Sequence, residues 1–286
     1  MSRLPADAHV GRVTLRVNDL DRMAHFYERV VGLQVHDRDD RRATMGAGGD
    51  DLLVLVSDPD APERGLDETG LFHTAFLVPS RTALGAALDR VADRWLIDGA
   101  SDHLVSEALY LVDPEDNGIE IYRDKPRAEW PTTPEGTVEM DTLPLDLDEL
   151  AAESDGASYA PPATTVGHVH LEVSAISRAR EFYVDALGLG VRDDWGADAL
   201  FVAAGDYHHH VGLNTWHGCT EPRTGRGLDE WELVVPDGDA LAAVSERLTT
   251  QGVAFEAADD GALLVEDPDG IPVRVRAEVE GDPGQT

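Results

Sequence analysis

The chain has 286 residues, 42% of them hydrophobic, so it can bury a substantial core in one large or two ordinary domains. No apolar run approaches the roughly 20 residues that cross a bilayer, and the first ten residues lack the apolar core of a secretory signal. We therefore expect a cytoplasmic protein without a membrane partner. The single cysteine, Cys219, excludes an internal disulfide and any metal site built from several thiolates.

The charge balance is strongly acidic, with 56 Asp and Glu against 23 Lys and Arg and a formal net charge of -33. Lys125 is the sole lysine. This composition predicts a halophilic surface, because concentrated salt screens the self-repulsion of so many carboxylates; the alternative is an acidic protein of a mesophile. It excludes nucleic acid as a partner, since phosphate binding needs basic patches.

The chain repeats itself at a nearly constant offset. The segment VGRVTLRV at 10–17 matches VGHVHLEV at 166–173, and the same offset relates Phe26-Tyr27 to Phe182-Tyr183. A second offset, longer by one residue, relates Gly70-Leu71 to Gly227-Leu228. We therefore predict four modules, A, B, A′ and B′, which span 9–57, 70–124, 165–216 and 227–278.

Within each module the periodicity changes from that of a strand to that of a helix, and then to short strands. In module B we predict a helix over 81–95 and strands over 108–112 and 119–122. In module A′ we predict a strand over 168–173 and a helix over 177–187. The predicted pattern of every module is βαβββ, which makes the fold class α+β.

Residues 125–164 are rich in Pro, Asp and Glu and have little periodicity, apart from one short predicted helix near 147–152. We interpret this segment as a linker. It separates a predicted N-terminal domain at 9–124 from a C-terminal domain at 165–278.

Four segments carry a family resemblance: VGHVHLEV at 166–173, GLFHTAFLVPSR at 70–81, DHLVSEALYLVDPEDNGIEIY at 102–122 and YHHHVGLNTW at 207–216. Together they resemble the vicinal oxygen chelate superfamily and, within it, the two-domain catechol 2,3-dioxygenases of bacilli and haloarchaea. The resemblance implies that the four βαβββ modules form two half-barrel sheets, with a metal held in the cup.

In that superfamily the metal ligands lie on the first strand of one module and on the first and last strands of its partner. The residues at these positions are Arg12 in A, His73 and Glu120 in B, His168 in A′, and Glu230 and Pro272 in B′. Only His73, Glu120 and His168 make a triad, and two histidines with one carboxylate suit Fe(II), with Mn(II) as an alternative. This assignment pairs B with A′; if A pairs with B instead, no pair has three ligands.

The resemblance also implies roles for residues around the metal. An acid/base histidine is expected on a late strand of A′, where His208-His209-His210 stand; His210 is the choice and His208 the alternative. Tyr110 and His103 match a tyrosine and a histidine that hydrogen-bond substrate and oxygen. Asn214 and Trp216 are expected to line the cup.

The implied activity is extradiol cleavage, in which O2 is inserted into a small aromatic diol next to its two hydroxyls. One alternative is a glyoxalase-like lyase or isomerase, a class that usually presents two histidines and two glutamates. The other is a metal-free binding protein of the same fold. A single histidine on an apolar strand is commonly a core residue, so the prediction depends on the three ligands occurring together. The preferred catechol and the oligomeric state stay open.

Overall fold

The computed structural model describes residues 3–133 and 138–278. Their strands make two mixed β-sheets, of eight and nine strands, with helices between strands of the same module. The predicted α+β class with four βαβββ modules is confirmed.

The N-terminal half contains modules A and B, each with one helix after its first strand. Module A comprises β1 (His9–Val17), α1 (Leu20–Phe26), β2 (Gln34–Arg38), β3 (Arg42–Ala47) and β4 (Asp50–Ser57). Module B comprises β5 (Gly70–Leu77), α2 (Arg81–Arg94), β6 (Gly99–Asp102), β7 (Ser106–Val112) and β8 (Gly118–Asp124). The helix predicted over 81–95 is therefore confirmed to within one residue.

The predicted linker and the C-terminal half supply the remaining elements. The predicted linker contains β9 (Leu143–Pro144) and α3 (Leu147–Ala152). Module A′ comprises β10 (Thr165–Glu172), α4 (Ile176–Arg180), β11 (Gly190–Asp194), β12 (Ala199–Ala203) and β13 (Val211–Asn214). Module B′ comprises β14 (Gly227–Val235), α5 (Gly238–Gln251), β15 (Phe255–Ala257), β16 (Leu263–Glu266) and β17 (Pro272–Ala277).

All four modules have the same internal strand order: first, fourth, third, second. The orders are β1-β4-β3-β2, β5-β8-β7-β6, β10-β13-β12-β11 and β14-β17-β16-β15. The first and fourth strands are parallel in modules B, A′ and B′. A parallel pair needs a long crossover, which the helix and the two intervening strands provide. The last strand thus lies beside the first, so residues far apart in a module's sequence share one face.

The helix predicted over 177–187 differs in kind from the structure. It is α-helical only over Ile176–Arg180 and continues as a π-helix over Glu181–Ala186. The N–H of Leu187 accordingly bonds the carbonyl five residues earlier, at Phe182, with N and O 2.8 Å apart. Module A has the same feature, a π-helix at Tyr27–Val31. Apolar spacing alone does not reveal such a widened turn.

The duplicated tyrosines make duplicated hydrogen bonds. The hydroxyl of Tyr27 donates to Asp113 over 2.9 Å, and that of Tyr183 donates to Asp267 over 3.1 Å. Both tyrosines are buried, and each aspartate opens the turn before the last strand of a module. The repeat in sequence is therefore also a repeat in side-chain contacts.

The predicted linker packs closely against module B over its described residues. Strand β9 pairs with β6, and helix α3 contacts α2. Leu150 of α3 is fully buried. Contacts group this segment with Leu15–Ala61 and the rest of His73–Gly167 in one compact unit. The helix near 147–152 is confirmed, while the domain boundaries at 124 and 165 stay predictions.

Candidate metal centre

His73 and Glu120 are brought together by the first and last strands of module B. The parallel register of β5 and β8 sets Ala75 opposite Glu120, and residues two apart on a strand share a face. Nε2 of His73 lies 3.0 Å from a carboxylate oxygen of Glu120. The two residues are only 6% and 3% exposed. Since a buried carboxylate requires a cationic or hydrogen-bonding partner, this pair is suited to share a metal ion.

Tyr110 and His103 extend the same site. Tyr110 is the antiparallel partner of Glu120 on β7, and its hydroxyl is 2.7 Å from Nε2 of His103. Burial raises the pKa of Tyr110 well above its usual 10, and the charge of Glu120 and a hydrogen bond to it raise that pKa further. Tyr110 therefore stays protonated at neutral pH and can donate its hydroxyl hydrogen.

The other nitrogen of His103 defines the direction of this hydrogen bond. Nδ1 lies 2.8 Å from the carbonyl oxygen of Asp141. A carbonyl only accepts, so Nδ1 carries a proton, and Nε2 of a neutral His103 must then accept from Tyr110. Protonated His103 would instead donate to Tyr110. The hydroxyl can then turn its hydrogen to Glu120.

His168 lies on β10, the first strand of module A′, and is 2% exposed. Its imidazole ring is close to two rings of the triple-histidine segment. The ring centroids are 4.2 Å from His209 and 6.0 Å from His208. The predicted ligand of this module is thus buried among other imidazoles.

The triple-histidine segment is a loop, although the sequence suggested a strand. Strand β13 begins only at Val211, so the alternation of faces does not apply to residues 208–210. His210 packs its ring 4.8 Å from that of Tyr207, and its Nδ1 accepts a hydrogen bond of 3.1 Å from the N–H of Ala204. The acid/base roles of His210 and His208 stay predictions.

The three predicted ligands come together. The ligand atoms of His73, Glu120 and His168 all lie within 4.8 Å of one another, and all three residues are buried. Ligand bonds of about 2.0–2.2 Å hold two donor atoms of a common ion no more than about 4.4 Å apart, so small side-chain movements would bring all three atoms to one ion. The donor set itself, two imidazoles and one carboxylate, fits a non-haem Fe(II) ion with open positions. The residues therefore could hold such a metal.

The register of module B′ corrects one residue of the sequence alignment. Glu232, two residues after Glu230, is paired with Arg274, whereas Ala75, two residues after His73, is paired with Glu120. The counterpart of Glu120 is therefore Arg274 and not Pro272. A guanidinium cannot bind a metal ion, so the conclusion that this module lacks a ligand pair is strengthened.

Charged side chains form an ion cluster at the equivalent place in module B′. The side chain of Glu232 is 2% exposed. Its carboxylate oxygens lie 2.9 Å from Nε of Arg12, 3.2 Å from Nε of Arg276 and 3.8 Å from Nε of Arg274. Three guanidinium groups thus surround one buried carboxylate. Arg12, at the position that corresponds to His168 in the internal repeat, is part of this ion cluster.

Two residues beside His168 were missed by the sequence analysis. His170 and Glu172 share the face of His168 on β10, and alternation along 168–172 would have indicated both. The ring of His170 packs against Phe72 and Trp216, with centroids 5.2 and 5.1 Å away. Trp216, expected to line the cup, is 45% exposed, whereas Asn214 is fully buried.

The chain belongs to the Glyoxalase/Bleomycin resistance protein/Dioxygenase superfamily, whose pattern matches residues 9–121 and 165–275. It is 40% identical over 278 residues to the catechol-2,3-dioxygenase of Bacillus subtilis (strain 168), which covers 94% of this chain and 96% of that protein.

Solved structures of low identity show the same fold. A putative dioxygenase from Bacillus subtilis has a TM-score of 0.68 at 14% identity and covers 99% of this chain and 87% of its own. Glyoxalase I from Zea mays has a TM-score of 0.57 at 18% identity and covers 94% of this chain and 92% of its own. In the part of the chain that the structure describes, no helix is long and apolar enough to span a membrane.

Proposed function

We propose that the chain is an extradiol dioxygenase that cleaves a catechol next to its two hydroxyls, using O2 and a single Fe(II) ion. The observation that carries this proposal is the buried triad of His73, Glu120 and His168, whose ligand atoms lie within 4.8 Å of one another. The catechol-2,3-dioxygenase named above supports the reaction, because it is similar over almost the whole length of both chains.

The donor set explains why this reaction suits the site. A set of three protein ligands would leave positions on the ion open, enough for a chelating diol and for O2. When bound, the iron would supply the electron exchange between the diol and oxygen. Mn(II) is the alternative, because imidazole and carboxylate ligands discriminate weakly between the two ions.

The chain's own residues would handle protons. A catechol must lose protons to chelate, and a group that titrates near neutrality is suited to accept one and return it later. His210 is the proposed acid/base. Its Nδ1 accepts the N–H of Ala204, so in its neutral form Nε2 carries a proton that the ring can donate. To accept a proton from the diol, the ring must first release the N–H of Ala204, because Nδ1 is its only acceptor nitrogen. His208, whose ring centroid lies 6.0 Å from that of His168, is the alternative.

Tyr110 and His103 would stabilise charge that develops on oxygen. Tyr110 stays protonated because burial and Glu120 raise its pKa. When protonated His103 donates to the hydroxyl oxygen, Tyr110 can direct its own hydrogen to a developing anion. Nε2 of His103 is hydrogen-bonded to the hydroxyl oxygen of Tyr110 at 2.7 Å. The carbonyl of Asp141 fixes the ring of His103.

The rival activities make different demands on the site. A glyoxalase-like lyase or isomerase usually presents a second carboxylate, and the position in module A′ that corresponds to Glu120 is Gly212. A metal-free binding protein needs no triad. The three buried ligands therefore favour the dioxygenase over both.

The direct test is reconstitution with Fe(II) without oxygen, followed by catechol and air. We expect oxygen uptake and a yellow ring-cleavage product. Absence of uptake with every catechol, together with turnover of methylglyoxal and glutathione, would refute the proposal.

Two carboxylate variants test the metal site itself. Glu120→Gln removes the anionic ligand, so we expect iron retention after gel filtration to fall at least about tenfold, the scale on which changes in the ligand environment alter metal affinity. The matched control is Glu230→Gln, at the module B′ position equivalent to His73, which should retain about one iron per chain. Loss of iron from the control but not from the Glu120 variant would place the site in the other pair of modules.

A further inference from the structure

The modules can be compared at the position that provides the carboxylate. In module B this position is Glu120, the register partner of Ala75, two residues after His73. In module A′ the residue two after His168 is His170, and its register partner on β13 is Gly212. A carboxylate at 212 would therefore have the same position relative to His168 on its strand pair as Glu120 has relative to His73. This is the position of a fourth protein ligand.

The ring of His170 occupies the space that a side chain at 212 would need. A Cβ added to Gly212 would lie 2.8 Å from Cδ2, 2.9 Å from Cγ and 3.0 Å from Nε2 of His170. Non-bonded carbon atoms approach to about 3.5–4.0 Å, so all three separations are too short. No residue larger than glycine fits at 212 while this ring keeps its place.

The ring is held in that place by neighbouring aromatic side chains. Its centroid is 5.2 Å from Phe72, 5.7 Å from Phe201 and 5.1 Å from Trp216. His170 is 4% exposed, and Gly212 is buried. A tightly packed ring does not turn aside without cost. The glycine and the histidine thus form one interlocked pair.

We propose that the His170–Gly212 pair closes the fourth-ligand position and so keeps the protein donor set at two histidines and one carboxylate. The inference rests on the proposed metal site and goes beyond it, since it assigns a positioning role to two residues that bind no metal. Its consequence is chemical: with the fourth position closed, coordination sites stay open for the diol. If the fourth-ligand position were opened to a glutamate, its carboxylate would occupy one of the coordination sites that the diol needs.

The packing part of the proposal is tested by Gly212→Ala, His170→Ala and the double variant, by thermal melting of the metal-free proteins. We expect Gly212→Ala to lower the melting temperature. The same alanine should be tolerated in the His170→Ala background, where the ring is gone. Equal effects of the alanine in both backgrounds would overturn the interlocking.

The coordination part is tested with Co(II) as the probe in His170→Ala/Gly212→Glu, with His170→Ala as the matched control. We expect the double variant to bind Co(II) about tenfold more tightly or better, and its visible spectrum to stop responding to added catechol. The control should still respond as the unaltered chain does. Unchanged affinity together with an unchanged catechol response would overturn the inference while leaving the proposed function intact. A wild-type chain that binds no Co(II) or Fe(II) would instead overturn the proposed function.

Discussion

Gly167, the residue before the ligand His168, lies against the hydroxyl group of Tyr122. A Cβ at 167 would be 1.8 Å from that oxygen and 3.1 Å from Cβ of Leu77. Tyr122 is fully buried in a cluster with Ala75 and Ala108, so it has no room to withdraw. The glycine is thus required by close approach at the edge of the proposed site.

We expect Gly167→Ala to destabilise the metal-free chain by about 1–3 kcal/mol, the usual effect of overpacking a core. The matched control is Gly238→Ala, at the first residue of α5, where an added Cβ meets nothing within 4 Å. The control should be neutral or slightly stabilising, because alanine is the better helix former. Urea unfolding of both variants measures the difference, and equal stabilities would contradict the assignment.

At the scale of elements, the ion cluster of module B′ takes the place of a metal ligand pair. Removing Glu232 leaves Arg12, Arg274 and Arg276 without their shared carboxylate. Breaking a fully buried pair costs about 3–5 kcal/mol. Here the three arginine side chains are 16–33% exposed and can be solvated.

We therefore expect Glu232→Ala to cost about 2 kcal/mol, less than a fully buried pair, and to leave iron stoichiometry unchanged. The control is Glu63→Ala, whose 83% exposed side chain pairs with Arg226 at 3.7 Å. A carboxylate this well solvated contributes about 1 kcal/mol or less to an ion pair. Chemical denaturation and metal analysis distinguish the two variants, and lost iron in the Glu232 variant would contradict a purely structural role.

Burial of the aspartates in the two tyrosine–aspartate pairs gives the fold a pH dependence. Burial raises the pKa of Asp113 to about 6 and that of Asp267 to about 6, from an ordinary 3.8. An acid with a raised pKa binds more protons folded than unfolded. Its stabilising contribution is therefore full below pH about 4 and is lost as the pH rises through about 6.

Asp113→Asn isolates this effect, because asparagine does not titrate. The stability of the wild-type chain relative to the variant should fall as the pH rises from about 4 to about 6, by up to about 3 kcal/mol for two pKa units. The matched control is Asp60→Asn, at an exposed position, which removes a carboxylate without the burial of Asp113. Urea unfolding at several pH values provides the measurement, and a difference that rises with pH would reverse the assigned sign.

At the scale of the whole molecule, the net charge of -33 governs the response to salt. Like charges spread over a folded chain repel one another, and the repulsion is screened beyond about 10 Å at 0.1 M salt and beyond about 3 Å at 1 M. We propose that the chain is halophilic. Added KCl should therefore raise its melting temperature.

Thermal melting from about 0.1 M to about 1 M KCl tests this expectation in the range where screening changes most. Sucrose is the control, because it stabilises by exclusion from the surface and does not screen charge. A larger response to KCl at pH 7 than at pH 4, where many carboxylates are neutral, would identify repulsion as the cause. Equal responses at the two pH values would refute it.

Much of the fold and the triad could be predicted because both leave local marks in the sequence. The repeat at 10–17 and 166–173 indicated modules. The resemblance to the superfamily, applied to the first and last strands of these modules, implied ligands at His73, His168 and Glu120. The register between strands could not be predicted from any local sequence pattern. Pro272 was therefore chosen where Arg274 stands, and the loop at 208–210 was interpreted as a strand.

The sequence by itself determined the four modules, their βαβββ pattern and the residue types that could bind a metal, because periodicity and composition are properties of the chain. Only the tertiary structure decided which side chains meet. It set Tyr110 opposite Glu120, placed Glu232 among three arginines and packed His170 over Gly212. Such contacts join residues on different strands, and they follow from register and packing, which no local pattern encodes.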